Sequence, residues 1–333
     1  MKRAILKFLG AAGAFAPFRI ANRGKALILT YHRFSHNGDG QTLSAREFEE
    51  HVQYLTTHYR LAPLSFLAKQ LLTGQSIAPD TAVITIDDGY RDAYDIALPI
   101  LRRYKAPATL FIVTDFVDRR AWLWTDKLRF LAVQTRVSKL EARINNQTFQ
   151  AELNGLGSRM RTAACINAAL KKVPDHEKDD ALLEIASSLG VNVPELPPDD
   201  YGAISWDQVR RMEADGVEIG SHTKTHPILT SVSDSRLLSE LAESRARLEA
   251  MLGHEINLLS YPNGNYNERV QRAAAASGYS CAVTVELGFN DQSIDPMRLR
   301  RMDTEADFTR FIQITSGFDQ IKNRFRHTHR KAG

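Results

Sequence analysis

Short apolar runs alternate with helical segments along this chain, and this alternation constrains the fold more than any other feature. Runs rich in β-branched residues lie at 26–32, 82–86 and 108–113, and segments with helical spacing of apolar residues separate them, at 45–59 and 91–104. Strands that alternate with helices of this length indicate a parallel sheet with crossover helices. The sequence therefore predicts an α/β fold.

The alternation stops between about 118 and 203 and then resumes. That middle stretch has mostly helical spacing with polar breaks, so we interpret it as a mainly helical insertion. Further strands are predicted near 217–220, 258–261, 282–285 and 299–302. The chain has 333 residues and is 43% hydrophobic, which is sufficient for one large core.

Chemically reactive side chains follow four of the predicted strands. In parallel α/β sheets and barrels, functional groups collect at the carboxyl ends of the strands. We therefore expect these groups to lie close together. They are His32, the doublet Asp87–Asp88, the pair His222 and His226, and the loop 261–266.

The two histidines and the carboxylate doublet together predict a metal site. His222 and His226 are four residues apart, a spacing that lets two imidazoles face one metal. Two imidazoles and one carboxylate form a three-ligand set that leaves a position for water, as in catalytic zinc sites. The second carboxylate of the doublet can then serve as a general base. Gly89 lets the backbone turn closely past this site.

Three segments carry a resemblance to a known family. The sequences T-I-D-D-G-Y at 85–90, H-T-K-T-H at 222–226 and S-Y-P-N-G at 260–264 resemble signature motifs of the polysaccharide deacetylases of the NodB-homology type, carbohydrate esterase family 4. The similarity covers roughly 27–117 and 204–303. It implies a deformed (β/α) barrel of about seven strands, with the insertion outside it.

The resemblance also implies roles for the motif residues. It makes Asp87 the general base and Asp88, His222 and His226 the ligands of a divalent metal, most simply Zn²⁺, with Co²⁺ or Ni²⁺ as alternatives. The implied reaction is hydrolysis of N-acetyl groups on amino sugars of a poly- or oligosaccharide, with metal-bound water as the nucleophile. The expected partner is an N-acetylated carbohydrate.

Two positions depart from the family pattern. Many members begin the third motif with an arginine that orients the base, but 257–262 contains none. We assign this role to Arg301; the alternative is an exposed arginine at a strand edge. Many members also carry a late histidine as general acid. Here we assign that role to His32, as in the N-terminally permuted exopolysaccharide deacetylases that this sequence resembles; the alternative is a structural histidine at a strand end.

The loops nearest the expected metal supply the candidate sugar contacts. Aromatic faces and amide groups suit sugar rings. The segment 122–126 opens the insertion and either covers the cleft or packs in the core of the insertion. The predicted substrate-binding residues are Tyr90, Tyr261, Pro262, Asn263 and Tyr266.

Two other functions stay open at this point. One is hydrolysis of a different C–N amide bond by the same site. The other is a catalytically weak sugar-binding protein of a polysaccharide-assembly system, which the departures at the arginine and the late histidine allow. Acetate release from N-acetylated oligosaccharides distinguishes them from the deacetylase.

The two ends of the chain lie outside the predicted catalytic domain, 26–316. Residues 1–25 contain six basic residues and no acidic residue, and their apolar positions favour a short amphipathic helix that contacts a membrane surface or the protein itself. We expect a cytoplasmic location at the membrane; the alternative is export by an atypical signal peptide. The tail at 317–333 is also basic, but it lacks base-reading motifs, so nucleic-acid binding is not expected.

Overall fold

The computed structural model describes residues 14–38, 42–144 and 147–318. The strands are β1 (Leu27–Tyr31), β2 (Phe34–Ser35), β3 (Leu43–Ser44), β4 (Arg60–Leu61), β5 (Thr81–Ile86), β6 (Ala108–Ile112), β7 (Lys139–Ile144), β8 (Gln147–Glu152), β9 (Val217–Ser221), β10 (Leu258–Ser260), β11 (Cys281–Leu287) and β12 (Leu299–Asp303). The helices are α1 (Ala16–Ala21), α2 (Ala45–His58), α3 (Leu64–Leu72), α4 (Leu98–Tyr104), α5 (Thr114–Val117), α6 (Trp124–Gln134), α7 (Leu156–Leu170), α8 (Lys178–Ser188), α9 (Trp206–Ala214), α10 (Asp234–Leu252), α11 (Glu268–Ala276) and α12 (Phe308–Ser316).

Seven parallel strands close into a barrel. Their order is β1-β12-β11-β10-β9-β6-β5, and β5 pairs in register with β1 to complete the ring. The short strand β4 pairs only with the start of β5. This confirms the expected deformed (β/α) barrel of about seven strands. Because all seven strands are parallel, their carboxyl ends meet at one rim.

Alternate residues of the strands pack on opposite sides of the barrel wall. Leu29 and Ile84 belong to a core shared with the surrounding helices. Ile28, Val83 and Phe111 belong to a separate cluster that also draws on β10, β11 and β12. A cluster that collects side chains from all around the ring fills its interior. Residues of α3 join this cluster and close the barrel at the amino ends of the strands.

Local sequence signals define the helix around Pro99 and the start of α2. Ser44 accepts a hydrogen bond from the backbone N–H of Glu47, whose carboxylate accepts one from the backbone N–H of Ser44, so α2 begins with a capping box. Pro99 has no N–H to continue a helical ladder. The chain accordingly forms a π-helical segment, Ala93–Ala97, immediately before α4.

The insertion between β6 and β9 has its own hydrophobic core. Helices α6, α7 and α8 contribute to this core together with an antiparallel hairpin of β7 and β8. Leu140, Ala142 and Ile144 face inward, and the residues between them are exposed. The sequence predicted a mainly helical insertion and missed this hairpin.

The described amino-terminal residues pack against the end of the chain. Phe15 and Phe18 contact the ring of Phe318 edge to face, with ring centroids 5.3 and 5.0 Å apart. The side-chain amide of Asn22 donates a hydrogen bond to the carbonyl oxygen of Ser316 at 3.2 Å. These contacts hold α1 beside α12.

The remaining terminal residues, 1–13 and 319–333, lie outside the described residues. Most of the predicted amphipathic segment and of the basic tail falls there, so membrane contact and cellular location stay predictions. Within the described part of the chain, no helix combines the length and hydrophobicity needed to cross a bilayer.

Candidate active site

The carboxyl-terminal rim of the barrel brings together side chains from separate strand ends. Asp87 and Asp88 follow β5, His222 follows β9, and His32 follows β1. Because alternate residues of a strand share one face, Asp87 lies on the same side as Thr85, which points into the barrel. The rim therefore collects carboxylates and imidazoles around the open end of the barrel.

Arg301 binds the carboxylate of Asp87 with two parallel hydrogen bonds. Nη1 donates to Oδ1 at 2.9 Å, and Nη2 donates to Oδ2 at 2.8 Å. The hydroxyl of Ser260 donates to the same Oδ2 at 3.2 Å. The side chains of Arg301 and Asp87 are only 1% and 2% exposed. This bidentate arrangement fixes the plane of the carboxylate.

The guanidinium of Arg301 is itself fixed from inside the barrel. Its Nε donates to the carbonyl oxygen of Thr284 in β11 at 2.8 Å, and Nη1 donates to the hydroxyl of Thr85 in β5 at 3.2 Å. The side chain thus crosses the barrel interior from β12 toward β5. It is a buried arginine and not one exposed at a strand edge.

These contacts keep Asp87 ionised. Burial raises the pKa of Asp87. The charge of Arg301 lowers it, as do the charge of His222, the hydrogen bonds from Arg301 and the charge of His32. The combined effect holds the pKa of Asp87 well below its ordinary value. Asp87 is therefore a carboxylate at neutral pH and able to accept a proton.

Asp88, His222 and His226 form a cluster with the composition of a metal site. One potential ligand atom from each lies within 4.8 Å of the others. Oδ1 of Asp88 is 3.4 Å from Nε2 of His222 and 3.6 Å from Nε2 of His226. Nδ1 of His222 is 2.7 Å from the carbonyl oxygen of Ser260. Since a carbonyl only accepts, Nδ1 carries the proton and Nε2 keeps its lone pair facing Asp88.

The electrostatics of the cluster suit a divalent cation. Burial lowers the pKa of His222 to about 4 and lowers the pKa of His226 well below its ordinary value, so both imidazoles are neutral. Burial and the neighbouring charge of Asp87 raise the pKa of Asp88 well above its ordinary value. A bound cation stabilises the carboxylate form of such a group. Two neutral imidazoles and one carboxylate therefore fit a zinc-type site.

The backbone at these residues adopts left-handed conformations that side chains disfavour. The φ angles are 77° at Asp88, 67° at Thr223 and 63° at His226. Such conformations cost of order 1–3 kcal/mol each and persist only where surrounding contacts hold them. Here they turn the backbone sharply between successive functional side chains.

A pocket of about 160 Å³ adjoins the aspartates, the histidines and Arg301. The barrel loops form one part of its wall, and the insertion supplies the rest with Trp124, Thr125 and Lys171. Nε1 of Trp124 is buried without a hydrogen-bond partner among the described residues. The insertion thus belongs to the wall of the pocket, although Trp122 and Leu123 beside it are buried in a hydrophobic cluster.

The loop after β10 places two of the predicted sugar contacts in this wall. Tyr261 and Asn263 line the pocket, and Pro262 is buried in the same turn. Gly264 has φ 70°, and a Cβ atom there would lie 2.3 Å from the side chain of Val285. Only glycine allows this loop to approach β11 so closely.

The other two predicted sugar contacts lie away from the pocket lining. Tyr90 is buried, and its hydroxyl donates a hydrogen bond to Asp126 at 2.6 Å. Tyr266 stacks on Tyr261 with ring centroids 5.6 Å apart, and its hydroxyl donates to Glu286 at 2.6 Å. Both residues support the walls of the site from outside.

His32 lies at the pocket beside the proposed base. Its Nε2 is 3.9 Å from Oδ2 of Asp87, and its side chain is 51% exposed. Desolvation lowers the pKa of His32, while the charge of Asp87 opposes that shift. His32 therefore lines the pocket next to Asp87.

A family model described as polysaccharide deacetylase matches residues 75–282, which is more than half of the chain. The chain belongs to the polysaccharide deacetylase family. The matched range of this deacetylase contains the doublet, both histidines and the loop after β10. It excludes His32 and Arg301, which reach the site from the two ends of the chain.

A protein of Bacillus subtilis resembles this chain at low sequence identity. YxkH, a Bacillus subtilis (strain 168) protein assigned to the polysaccharide deacetylases, is 22% identical over 265 residues. The alignment covers 79% of this chain and 66% of YxkH, so the chain spans just under two thirds of the length of that relative.

Solved structures of deacetylases share the fold. The Streptococcus pyogenes deacetylase PplD in complex with acetate matches with a TM-score of 0.59 at 17% identity, covering 88% of this chain and 99% of PplD. IcaB from Ammonifex degensii matches with a TM-score of 0.57 at 16% identity, covering 88% and 97%. These matches confirm the barrel architecture of this polysaccharide deacetylase.

Some residues of this candidate site were not singled out from the sequence. Ser260 contacts both Asp87 and His222, and its position at the end of β10, just before the Y-P-N-G loop, was the signal available for it. Lys171, at the end of α7, reaches the pocket only through the fold of the insertion, and nothing in its sequence context indicates this.

Proposed function

We propose that this polysaccharide deacetylase hydrolyses N-acetyl groups on amino sugars of a poly- or oligosaccharide and depends on a divalent metal. The observation that carries the proposal is the division of the carboxylate doublet. Asp87 pairs with Arg301, and Asp88 faces two histidines. One carboxylate is thus available as a base while its neighbour is available as a ligand.

Asp88, His222 and His226 would hold the metal, with zinc, cobalt or nickel all compatible with this ligand set. When bound, a divalent cation supplies Lewis-acid activation of water and polarises the amide carbonyl. Ser260 supports the ligand set, because its carbonyl oxygen fixes the proton of His222 on Nδ1.

Asp87 would take the proton from the attacking water. The paired Arg301 keeps Asp87 ionised and prevents its carboxylate from rotating. A general base must be unprotonated at the start of the reaction and close to the proton that it accepts. The contacts of Asp87 inside the barrel provide the first condition, and its place in the pocket wall provides the second.

His32 would donate a proton to the leaving nitrogen. Cleavage of the amide C–N bond releases acetate and leaves an amine, which departs readily only when the nitrogen is protonated. Nε2 of His32 lies 3.9 Å from Asp87 Oδ2, and both side chains line the same pocket, so the proposed acid and base would face the same bound substrate.

The pocket accepts the part of the sugar that carries the acetamido group. A volume of about 160 Å³ is smaller than the roughly 300–1,000 Å³ of pockets that enclose whole drug-sized ligands. The remainder of a saccharide would therefore extend over Asn263 and Trp124 at the pocket wall. Binding of acetate by PplD, which shares this fold, supports a product of that size.

Acetate release from N-acetylated oligosaccharides tests the proposal. The protein is stripped of metal with a chelator and assayed before and after zinc is restored. Release that requires zinc supports the deacetylase. Sugar binding without any release would support the sugar-binding alternative, and turnover of simple amides alone would support hydrolysis of another C–N bond.

A further inference from the structure

A buried glutamate on α10 has no role in the chemistry proposed above. Glu240 is 3% exposed, and its carboxylate faces the loop that joins His222 to His226. Oε2 accepts hydrogen bonds from the backbone N–H groups of Lys224 at 3.0 Å and Thr225 at 2.8 Å. The hydroxyl of Thr225 donates to Oε1 at 2.5 Å.

The loop that Glu240 contacts is short and strained. Thr223 and His226 both have positive φ angles, on either side of Lys224 and Thr225. A loop with two disfavoured residues needs external contacts to hold one conformation. The backbone N–H groups of Lys224 and Thr225 both donate to the same carboxylate oxygen, which fixes the middle of the loop.

We propose that Glu240 is a positioning residue that holds the Lys224–Thr225 backbone and thereby sets the separation of the His222 and His226 imidazoles for metal binding. This inference rests on the metal site of the proposed function. It adds a requirement outside the ligand set, since Glu240 itself does not contact Asp88, His222 or His226 side chains.

Only a carboxylate satisfies the groups that converge on this position. Three donors point at Glu240, two backbone N–H groups and one hydroxyl. An ionised carboxylate accepts all three, whereas glutamine has one acceptor oxygen and would direct its NH₂ group at a donor. Arg236 balances the buried charge, with Nε 3.7 Å from Oε1 of Glu240, and it pairs with Asp175 of the insertion at 2.8 Å.

Glu243 provides a matched control on the same helix. It is exposed, and its Oε2 accepts a hydrogen bond from Nζ of Lys224 at 2.7 Å. Glu243→Gln therefore weakens a contact to the same loop residue and removes the same charge. It leaves the backbone N–H groups of the loop paired with Glu240.

The test measures zinc affinity in the full-length protein by competition with a chelator, and Co²⁺ absorption as a signature of ligand geometry. Glu240→Gln is expected to weaken zinc binding about tenfold or more, which is the loss of affinity typical when residues that support metal ligands are changed. It is also expected to alter the Co²⁺ spectrum. Glu243→Gln is expected to keep wild-type affinity. Both variants are compared well below their melting temperatures, where a role in stability alone leaves zinc affinity unchanged.

Wild-type zinc affinity in folded Glu240→Gln would overturn this inference and leave the proposed function intact. No zinc binding by the wild-type protein would overturn the proposed metal site and this inference together. If Glu240→Gln does not fold, Thr225→Val removes one of the three donors. A weakening of about threefold in that variant supports the inference, and unchanged zinc affinity overturns it.

Discussion

Arg301 and Asp87 are 214 residues apart in the chain, yet two parallel hydrogen bonds of 2.9 and 2.8 Å join them inside the barrel. Arg301 lies in β12, and Asp87 follows β5. Strand β1 separates these two strands in the ring, so the contact forms only when the barrel is closed. Closure of the barrel therefore brings Arg301 and Asp87 into contact.

Replacement of Arg301 by lysine should reduce kcat by about a hundredfold, because lysine keeps the charge but loses the bidentate geometry. Zinc content should stay at the wild-type level, since Arg301 does not contact the ligand set. The control is Arg300→Lys, which changes the adjacent, half-exposed arginine. Equal turnover in Arg301→Lys and Arg300→Lys would show that Arg301 does not orient the base.

His32→Ala should reduce kcat about a hundredfold or more while zinc content stays intact, since loss of a general acid typically costs that much. His36→Ala is the control, because His36 is an exposed histidine four residues further along the chain. Acetate release and bound zinc are measured on the same preparations. Unchanged turnover in His32→Ala would remove His32 from the mechanism.

Trp124→Ala should raise KM about tenfold, equivalent to about 1.4 kcal/mol, with a smaller effect on kcat. The reason is that Trp124 lines the pocket and its buried indole N–H lacks a partner among the described residues. Trp124→Phe keeps an aromatic face without the N–H, so its KM should fall between the other two. A KM that stays at the wild-type value in both variants would contradict a substrate contact at Trp124.

His51 should make the free energy of unfolding depend on pH. His51 is buried and stacks on Phe311 with ring centroids 3.7 Å apart, and burial lowers its pKa to about 3. Above a pH of about 6.5 the imidazole is neutral in both the folded and unfolded states, and its contribution to stability is complete. Below that pH only the unfolded state gains the proton, so stability falls by about 1.4 kcal/mol per pH unit.

Denaturant unfolding at pH 7, 6 and 5 measures this dependence. Comparison with His51→Leu removes the contribution of other titrating groups that both proteins share. The wild-type protein should lose about 2 kcal/mol more than the variant between pH 7 and pH 5. Parallel pH curves for the two proteins would show that His51 titrates alike in the folded and unfolded states.

The fold and the metal-type cluster could be predicted because their signals are local. The T-I-D-D-G and H-T-K-T-H segments directly follow apolar strands, and parallel strands bring such ends to one rim. The hairpin of β7 and β8 also has a local signal in the sequence, although a mainly helical insertion was predicted there. In 139–144 the residues Leu140, Ala142 and Ile144 alternate with charged ones, which is the period of a half-buried strand.

Other parts of the site depend on tertiary structure alone. Arg298, Arg300 and Arg301 lie close together in the sequence, and only the register of β12 in the closed barrel directs Arg301 inward. Lys171 reaches the pocket through the fold of the insertion, and Glu240 reaches the histidine loop from the middle of a long helix. No spacing in the sequence links Lys171 or Glu240 to the site, whereas Arg301 was predicted because the family pattern needs an arginine that 257–262 lacks.

The central claim is that Asp87 and Asp88 have different tasks, and zinc content measured together with acetate release in Asp87→Asn and Asp88→Asn tests it most directly. Asp87→Asn should bind zinc like the wild-type protein and lose acetate release by about a hundredfold or more, because the asparagine cannot accept a proton. Asp88→Asn should lose both zinc and activity. Equal zinc binding in the two variants, or wild-type acetate release by Asp87→Asn, would contradict the account.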